Sequence, residues 1–184
     1  MRESTSAEEL HGFIDSDEAD IALMPAPQPD RFTVTVVADE EIVLAAPSDH
    51  PIARQSVVRL QDLDGVRLVH FAPENGLSSW LDLSLTKAGV RPEPVMRTSV
   101  TAAAPQLAAA GLGVAVCPVS AVSAGFPGAV RSFSPCWIRQ LAAVTPRGTR
   151  PARRAVHRQP AQSRRAGAPR RAISTHWRQL SELI

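Results

Sequence analysis

The chain has 184 residues, 44% of them hydrophobic, a formal net charge of +2 and two cysteines. That is enough for one ordinary domain or two small lobes, with a normal globular composition and no disulfide framework. No apolar run reaches membrane-spanning length, and the acidic, polar first twenty residues are no secretory leader, so a cytoplasmic protein is expected. The absence of Tyr and the 4% aromatic content argue against base-stacking recognition of single strands.

The net charge conceals a division. Residues 1–146 carry 10 basic and 17 acidic side chains, a net charge of −7, whereas residues 147–184 carry ten Arg against Glu182 alone, a net charge of +9. Such asymmetry marks two segments of different character, and the acidic body is not expected to bind nucleic acid by itself.

Residues 1–19 hold acids and a few helix formers and are expected to form a frayed end. Asp20–Met24 reads as a short buried strand, stopped by the stiff Pro25-Ala26-Pro27-Gln28-Pro29 connection. Arg31–Ala38 is a strand by its β-branched content, Asp39-Glu40 interrupts it, and Ile42–Ala46 forms the next. Ser48–Pro51 is a turn. His50 has no His, Cys or acid partner at ligand spacing and is read as a turn residue, not a metal or catalytic one. Leu60–Leu63 suggests one helical turn, and Val66–Phe71 a strand leading into the loop Ala72–Gly76.

The spacing of Leu77, Trp80, Leu81, Leu85 and Ala88 predicts a helix over Leu77–Gly89, with Lys87 in its last turn. Trp80 is expected to pack in the core or an interface. Pro94–Thr98 is the next strand, and Ser99–Ala110 the next helix, with Pro105 near its first turn. Then comes the most informative run, LAAAGLGVAVCPVSAV over Leu107–Val122. Gly111 and Gly113 end the helix, Val114–Cys117 is a strand covered on both faces, and Pro118 stops it. Ile138–Val144 is a late strand.

Strands alternating with helices favour an α/β domain with a mainly parallel sheet. Chemistry is sparse. No nucleophile–base–acid set is visible, Gly111-x-Gly113 follows a helix where a dinucleotide fingerprint must precede one, and Ser120 and Ser123 lack a nucleophile elbow. The chain reads as a binder and not an enzyme, with no cofactor or metal expected. Thr98-Ser99-Val100-Thr101, where a strand ends and a helix begins, can present hydroxyls and backbone N–H groups to a small anion. Alternatively, Ser99 or Thr101 simply caps the helix.

Three stretches, LAAAGLGVAVCP from Leu107, EIVLAAPSDHPIA from Glu41 and EADIAL from Glu18, together resemble the effector-binding domains of LysR-type transcriptional regulators in order and spacing. The resemblance covers about Glu8 to Pro146. It implies a two-lobed, type 2 periplasmic-binding-protein-like α/β fold, with a small-molecule effector in the cleft between lobes. The lobes implied are residues 1–38 with 131–146, an incomplete first lobe lacking its opening strand and helix, and residues 39–130, a second lobe. The winged helix-turn-helix that engages DNA in this family precedes the region matched, so the chain resembles a truncated regulator. The resemblance places effector contacts at Thr98–Thr101, with Met24 and Pro25 and then His70 and Phe71 as weaker candidates for opposite walls. It also implies a small metabolite as partner, for which the position of Thr98–Thr101 would suit an anion, and DNA only through the N-terminal domain; a homo-oligomer is compatible with the sequence but not fixed by it, and no membrane partner is expected.

Residues 147–184 read as a basic, disordered tail. Val156–Gln162 also admits a codon choice that, read one nucleotide on, spells Phe-Ile-Asp-Ser-Leu-Arg, an amphipathic helix of the family's kind; a frameshift product and a genuine basic tail both remain open. The alternatives to a regulator domain are a free-standing solute-binding protein of the same fold and a non-functional gene remnant.

Overall fold

The computed structural model describes Ser4 and residues 6–148, so the expected tail, apart from Arg147 and Gly148, lies outside the described residues. The elements are α1 (Ala7–Asp15), β1 (Ala22–Pro25), β2 (Phe32–Ala46), β3 (Arg67–Phe71), α2 (Gly76–Lys87), β4 (Glu93–Thr98), α3 (Ala103–Leu107), β5 (Ala115–Pro118) and β6 (Ala129–Pro146). Single helical turns at Pro51–Arg54, Leu60–Leu63 and Val119–Ala121 join them.

Two long strands organise the fold. β2 and β6 pair antiparallel from Phe32↔Pro146 to Ala46↔Ala129. At one end β1 joins β6, with Ala22 opposite Val144, and at the other β5 joins β2, with Ile42 opposite Pro118. β3 and β4 are parallel, and a parallel bridge from Leu68 to Val114 ties them to the β5 side.

The apolar residues divide accordingly into two cores. Ile14, Ala22, Met24, Phe32, Ala142 and Val144 form one cluster at the β1 end. A larger cluster joins Ile42–Ala46 with Leu68, Phe71, Leu81, Val114–Cys117 and Phe133 at the other. Two cores strung on one strand pair make two lobes, with β2 and β6 crossing between them.

Three expectations need correction. Asp39 and Glu40 do not interrupt the chain; the strand continues through them, because Glu40 pairs across the ladder with Arg139 and is buried there. The sheet is not mainly parallel: among the described residues β3–β4 and the bridges Leu68–Val114 and Val58–Phe133 are parallel, whereas the shared β2–β6 pair imposes antiparallel neighbours on both lobes. The N-terminal region is not a frayed end. The Ser6 side chain caps α1 by accepting from Glu9 N–H, and the helix seats Ile14 in the smaller core against Ala7 and Leu10. Burying one such Ile contributes about 1.5–3 kcal/mol to docking the helix, with Ala7 and Leu10 adding to it.

Candidate functional site

Between the lobes lies a cleft of about 440 Å³. One wall comes from the first lobe: Ala7 and Leu10 of α1, Met24 and Pro25 ending β1, the following Ala26–Gln28, and Leu141 of β6. The other is the exposed face of α2, with Gly76, Ser79, Trp80 and Leu83 at helical spacing, together with Asn75 and Thr101. Arg139 stands on the crossover strand between them. A second concavity, of about 520 Å³, sits at Ala26–Asp30, Phe32, Val34 and Arg147, on residues of the first-lobe side alone. We take the inter-lobe cleft as the candidate site, because both lobes line it, whereas the second concavity is lined from the first-lobe side alone.

Asn75 builds the second-lobe wall. It is 2% exposed and uses both ends of its amide. Its Oδ1 accepts from Leu77 N–H at 2.9 Å, capping α2, while its Nδ2 donates to the Ser99 carbonyl at 2.8 Å and to Thr101 Oγ1 at 3.1 Å. The loop after β3 and the loop after β4 are therefore tied together. Thr101 Oγ1 is an acceptor in this bond, which leaves its hydroxyl proton for another partner.

The cleft is apolar over most of its lining, and Arg139 is the one charged side chain among the described lining residues. Arg139 Nε and Nη2 both contact Glu40 Oε2, at 2.7 and 2.6 Å, and Ser120 Oγ donates to the other Glu40 oxygen. This pair is largely out of water and fully hydrogen-bonded at the carboxylate, which is what makes such a pair tolerable. On the opposite wall, Gln28 is held between His11, 2.6 Å from its Oε1, and the Pro25 carbonyl, to which it donates.

Comparison with known proteins follows from this geometry. A family model described as the LysR substrate binding domain matches residues 2–159. The chain belongs to that family. It is 22% identical over 134 residues to the uncharacterised HTH-type transcriptional regulator YybE of Bacillus subtilis (strain 168), a match covering 67% of this chain and 46% of the relative. The chain thus spans about half the length of that curated relative. Among solved structures it is similar to the regulatory domain of Synechocystis PCC6803 CcmR in complex with 2-PG, with a TM-score of 0.71, 16% identity and coverage of 79% and 72% of the two chains. It is likewise similar to the effector-binding domain of QuiR in complex with shikimate, with a TM-score of 0.70, 17% identity and coverage of 79% and 70%. The fold is that of LysR effector-binding domains, a two-lobed type 2 periplasmic-binding-protein-like α/β arrangement. No helix among the described residues is long and apolar enough to cross a membrane.

In this LysR-family cleft, Met24, Pro25 and Thr101 stand in the lining, while Thr98, Ser99 and Val100 form the turn beside it. Neither Ser99 nor Thr101 caps the helix. α3 begins at Ala103 with Ala102 as its N-cap and no side-chain cap bond, Thr101 Oγ1 is engaged by Asn75, and Thr98 Oγ1 accepts from Val100 N–H at 3.1 Å. The helix begins at Ala103 and not at Ser99, and a π-type turn at Ala108–Leu112 carries its path on to Gly111, the first residue to leave helical geometry.

His70 and Phe71 are buried behind the second-lobe wall, outside the cleft lining. Phe71 N–H donates to His70 Nδ1 at 2.8 Å, and Arg97 Nη1 reaches both Nδ1 and the Phe71 carbonyl, so the ring's proton sits on Nε2. That Nε2 lies 3.1 Å from Asp82 Oδ1 but out of alignment for a hydrogen bond, and it is a buried polar atom without one among the described residues. The two atoms are close without forming a hydrogen bond.

Sequence reasoning missed Asn75, Arg139 and Gln28. Asn75 carried a signal, since Asn directly before a helix start is a preferred N-cap. Arg139 carried none, because its role depends on Glu40, 99 residues away.

Proposed function

We propose that this chain is the sensory part of a LysR-type transcriptional regulator that binds a small anionic metabolite between its lobes. In that reading the effector lies against Thr98-Ser99-Val100-Thr101, with the Thr101 hydroxyl donating to it. Met24 and Pro25 close the opposite side, and buried His70 and Phe71 hold the strand end behind the site. The observation that carries the reading is Asn75, which locks two strand-end loops into one wall facing a second lobe across an open cleft. A buried amide satisfied in this way pre-organises a site, since the loops need not be ordered when ligand arrives. The effector complexes of CcmR and QuiR support a small-molecule ligand, and the likeness to YybE supports a regulator over a free-standing solute-binding protein. In the whole protein we place DNA binding in a winged-helix N-terminal domain, with a homo-oligomer acting in the cytoplasm, as a binder and not a catalyst.

A thermal-shift screen of small metabolites, followed by calorimetric titration of the hits, tests this. Thr101→Val removes one donor with little change in volume, and its effector affinity should fall about 2–10-fold, the worth of one hydrogen bond. An effector that bound wild type and Thr101→Val equally would put the site elsewhere.

A further inference from the structure

We infer that Arg139 and Trp80 form a specificity subsite, and that the effector is a carboxylate carried on a flat apolar ring. The inference rests on the cleft being the effector site and names the ligand class for it. Trp80 and Arg139 both face the cleft. They are neighbours through Trp137: Trp80 stacks on Trp137 with ring centroids 4.8 Å apart and planes 26° from parallel, and Trp137 and Arg139, two residues apart on β6, share a strand face. Phe133 packs edge-on against Trp137 at 5.3 Å, so the Trp80 ring is held from behind and offers its outer surface to the cleft. A rigid, half-buried indole beside an otherwise aliphatic lining (Leu10, Leu83, Leu141) suits a planar apolar body.

Arg139 supplies the polar end. Two of its nitrogens are taken by one oxygen of Glu40, and its Nη1 makes no hydrogen bond among the described residues. A guanidinium only donates, so its ligand must bring an acceptor. No Asp or Glu stands in the described lining to repel an anion. Asn75 and Thr101 are neutral, and Arg139 is the one charged side chain in the described lining, so it is the group placed to read a negative charge. Glu40 attenuates that charge from behind and so tunes the preference. The family resemblance pointed to the Thr98–Thr101 loop; the crossover strand is where the charge is.

The test uses the full chain with four probes, phenylacetate, its neutral analogue phenylacetamide, acetate, and cyclohexylacetate, titrated by calorimetry and followed by NMR of the Trp80 indole and Asn75 amide. Phenylacetate should bind about tenfold more tightly than phenylacetamide, the advantage of a charge-assisted bond, and more tightly than acetate or cyclohexylacetate. Glu40→Gln, which leaves Arg139 uncompensated, should raise the acid-over-amide ratio. Glu40→Gln with Arg139→Gln should bring it to about one, and this volume-matched neutral pair guards against a mere folding defect. Trp80→Leu should weaken both phenyl probes and leave their ratio unchanged. A ratio near one in wild type, a ratio retained in the double variant, or acetate binding as tightly as phenylacetate overturns the inference. If phenylacetamide still perturbs the Trp80 and Asn75 signals, the cleft stands as the ligand site and only the class falls. If neither the probes nor any screened metabolite perturbs them, the cleft reading falls too.

Discussion

Asn75 is the side chain whose loss should reach furthest, because one amide serves a helix cap and two loop contacts. Asn75→Ala removes a cap worth about 1 kcal/mol and two hydrogen bonds worth about 0.5–1.5 kcal/mol each. A loss of about 2–4 kcal/mol in urea denaturation is expected, and one below about 0.5 kcal/mol would contradict the bonding described. Asn75→Asp keeps the cap acceptor but turns a buried carboxylate oxygen on the Ser99 carbonyl, so it should cost at least the loop share. The two cysteines differ in the same local way. Burial first, and Glu40 nearby second, push the Cys117 thiol from 9.0 up to about 12, whereas Cys136 is exposed. Since the thiolate is the nucleophile, iodoacetamide at mildly alkaline pH should label Cys136 in the native protein and Cys117 only on unfolding. The linkage has a definite sign. The unfolded chain releases the Cys117 proton first, so its contribution to stability is intact below pH 9 and is lost as pH rises from 9 towards 12. Native labelling of both thiols at equal rates would overturn this assignment.

At the level of elements, the passage from α3 into β5 is where backbone approach is closest. Gly111 has φ +95° and turns the chain out of the helix with open space around it. Gly113, at φ +156°, sits on the β3 backbone: a Cβ there would lie 2.4 Å from the Arg67 carbonyl oxygen. Next to it, Val114 N–H donates to that same oxygen at 2.8 Å, and Val69 N–H donates back to the Val114 carbonyl. Gly113→Ala must therefore push two strands apart, whereas Gly111→Ala meets only local backbone strain. We expect a loss of about 3 kcal/mol or more for Gly113→Ala and about 1–2 kcal/mol for Gly111→Ala, read from thermal melts. Equal effects would mean the β3–β5 contact adjusts freely.

For the whole molecule the decisive quantity is the separation of charge. An acidic body of net −7 precedes ten arginines in residues 147–184. Any binding of this chain to duplex DNA should be independent of sequence and fall steeply between about 50 and 200 mM salt. It should vanish in a protein ended at Gly148. A footprint over a defined site at about 150 mM salt would show a recognition surface in the body instead.

What the sequence determined by itself was local and periodic. The α2 stripe, the glycine stop at Gly111 and the β-branched runs of β2 and β5 each follow from neighbours within one or two turns, as did the motifs that resemble the LysR family. Even α1 was written there, in Ser6 three residues before Glu9 and in Ala7, Leu10 and Ile14 at helical spacing, although an acidic terminus hid it. Tertiary structure alone decided what depends on distant partners. Asp39-Glu40 looks like a strand break until Arg139 neutralises Glu40 across the ladder. Thr101 looks like a helix cap until Asn75, 26 residues earlier, takes its oxygen. Trp80 packs against the larger core as its spacing suggests, but only its stacking on Trp137 settles that it also lines the cleft. The physical reason is the same in each case. Propensity and periodicity act between residues close in the chain, whereas the desolvation of a charge, the pairing of a hydroxyl and the covering of a ring are settled by whatever the fold brings alongside.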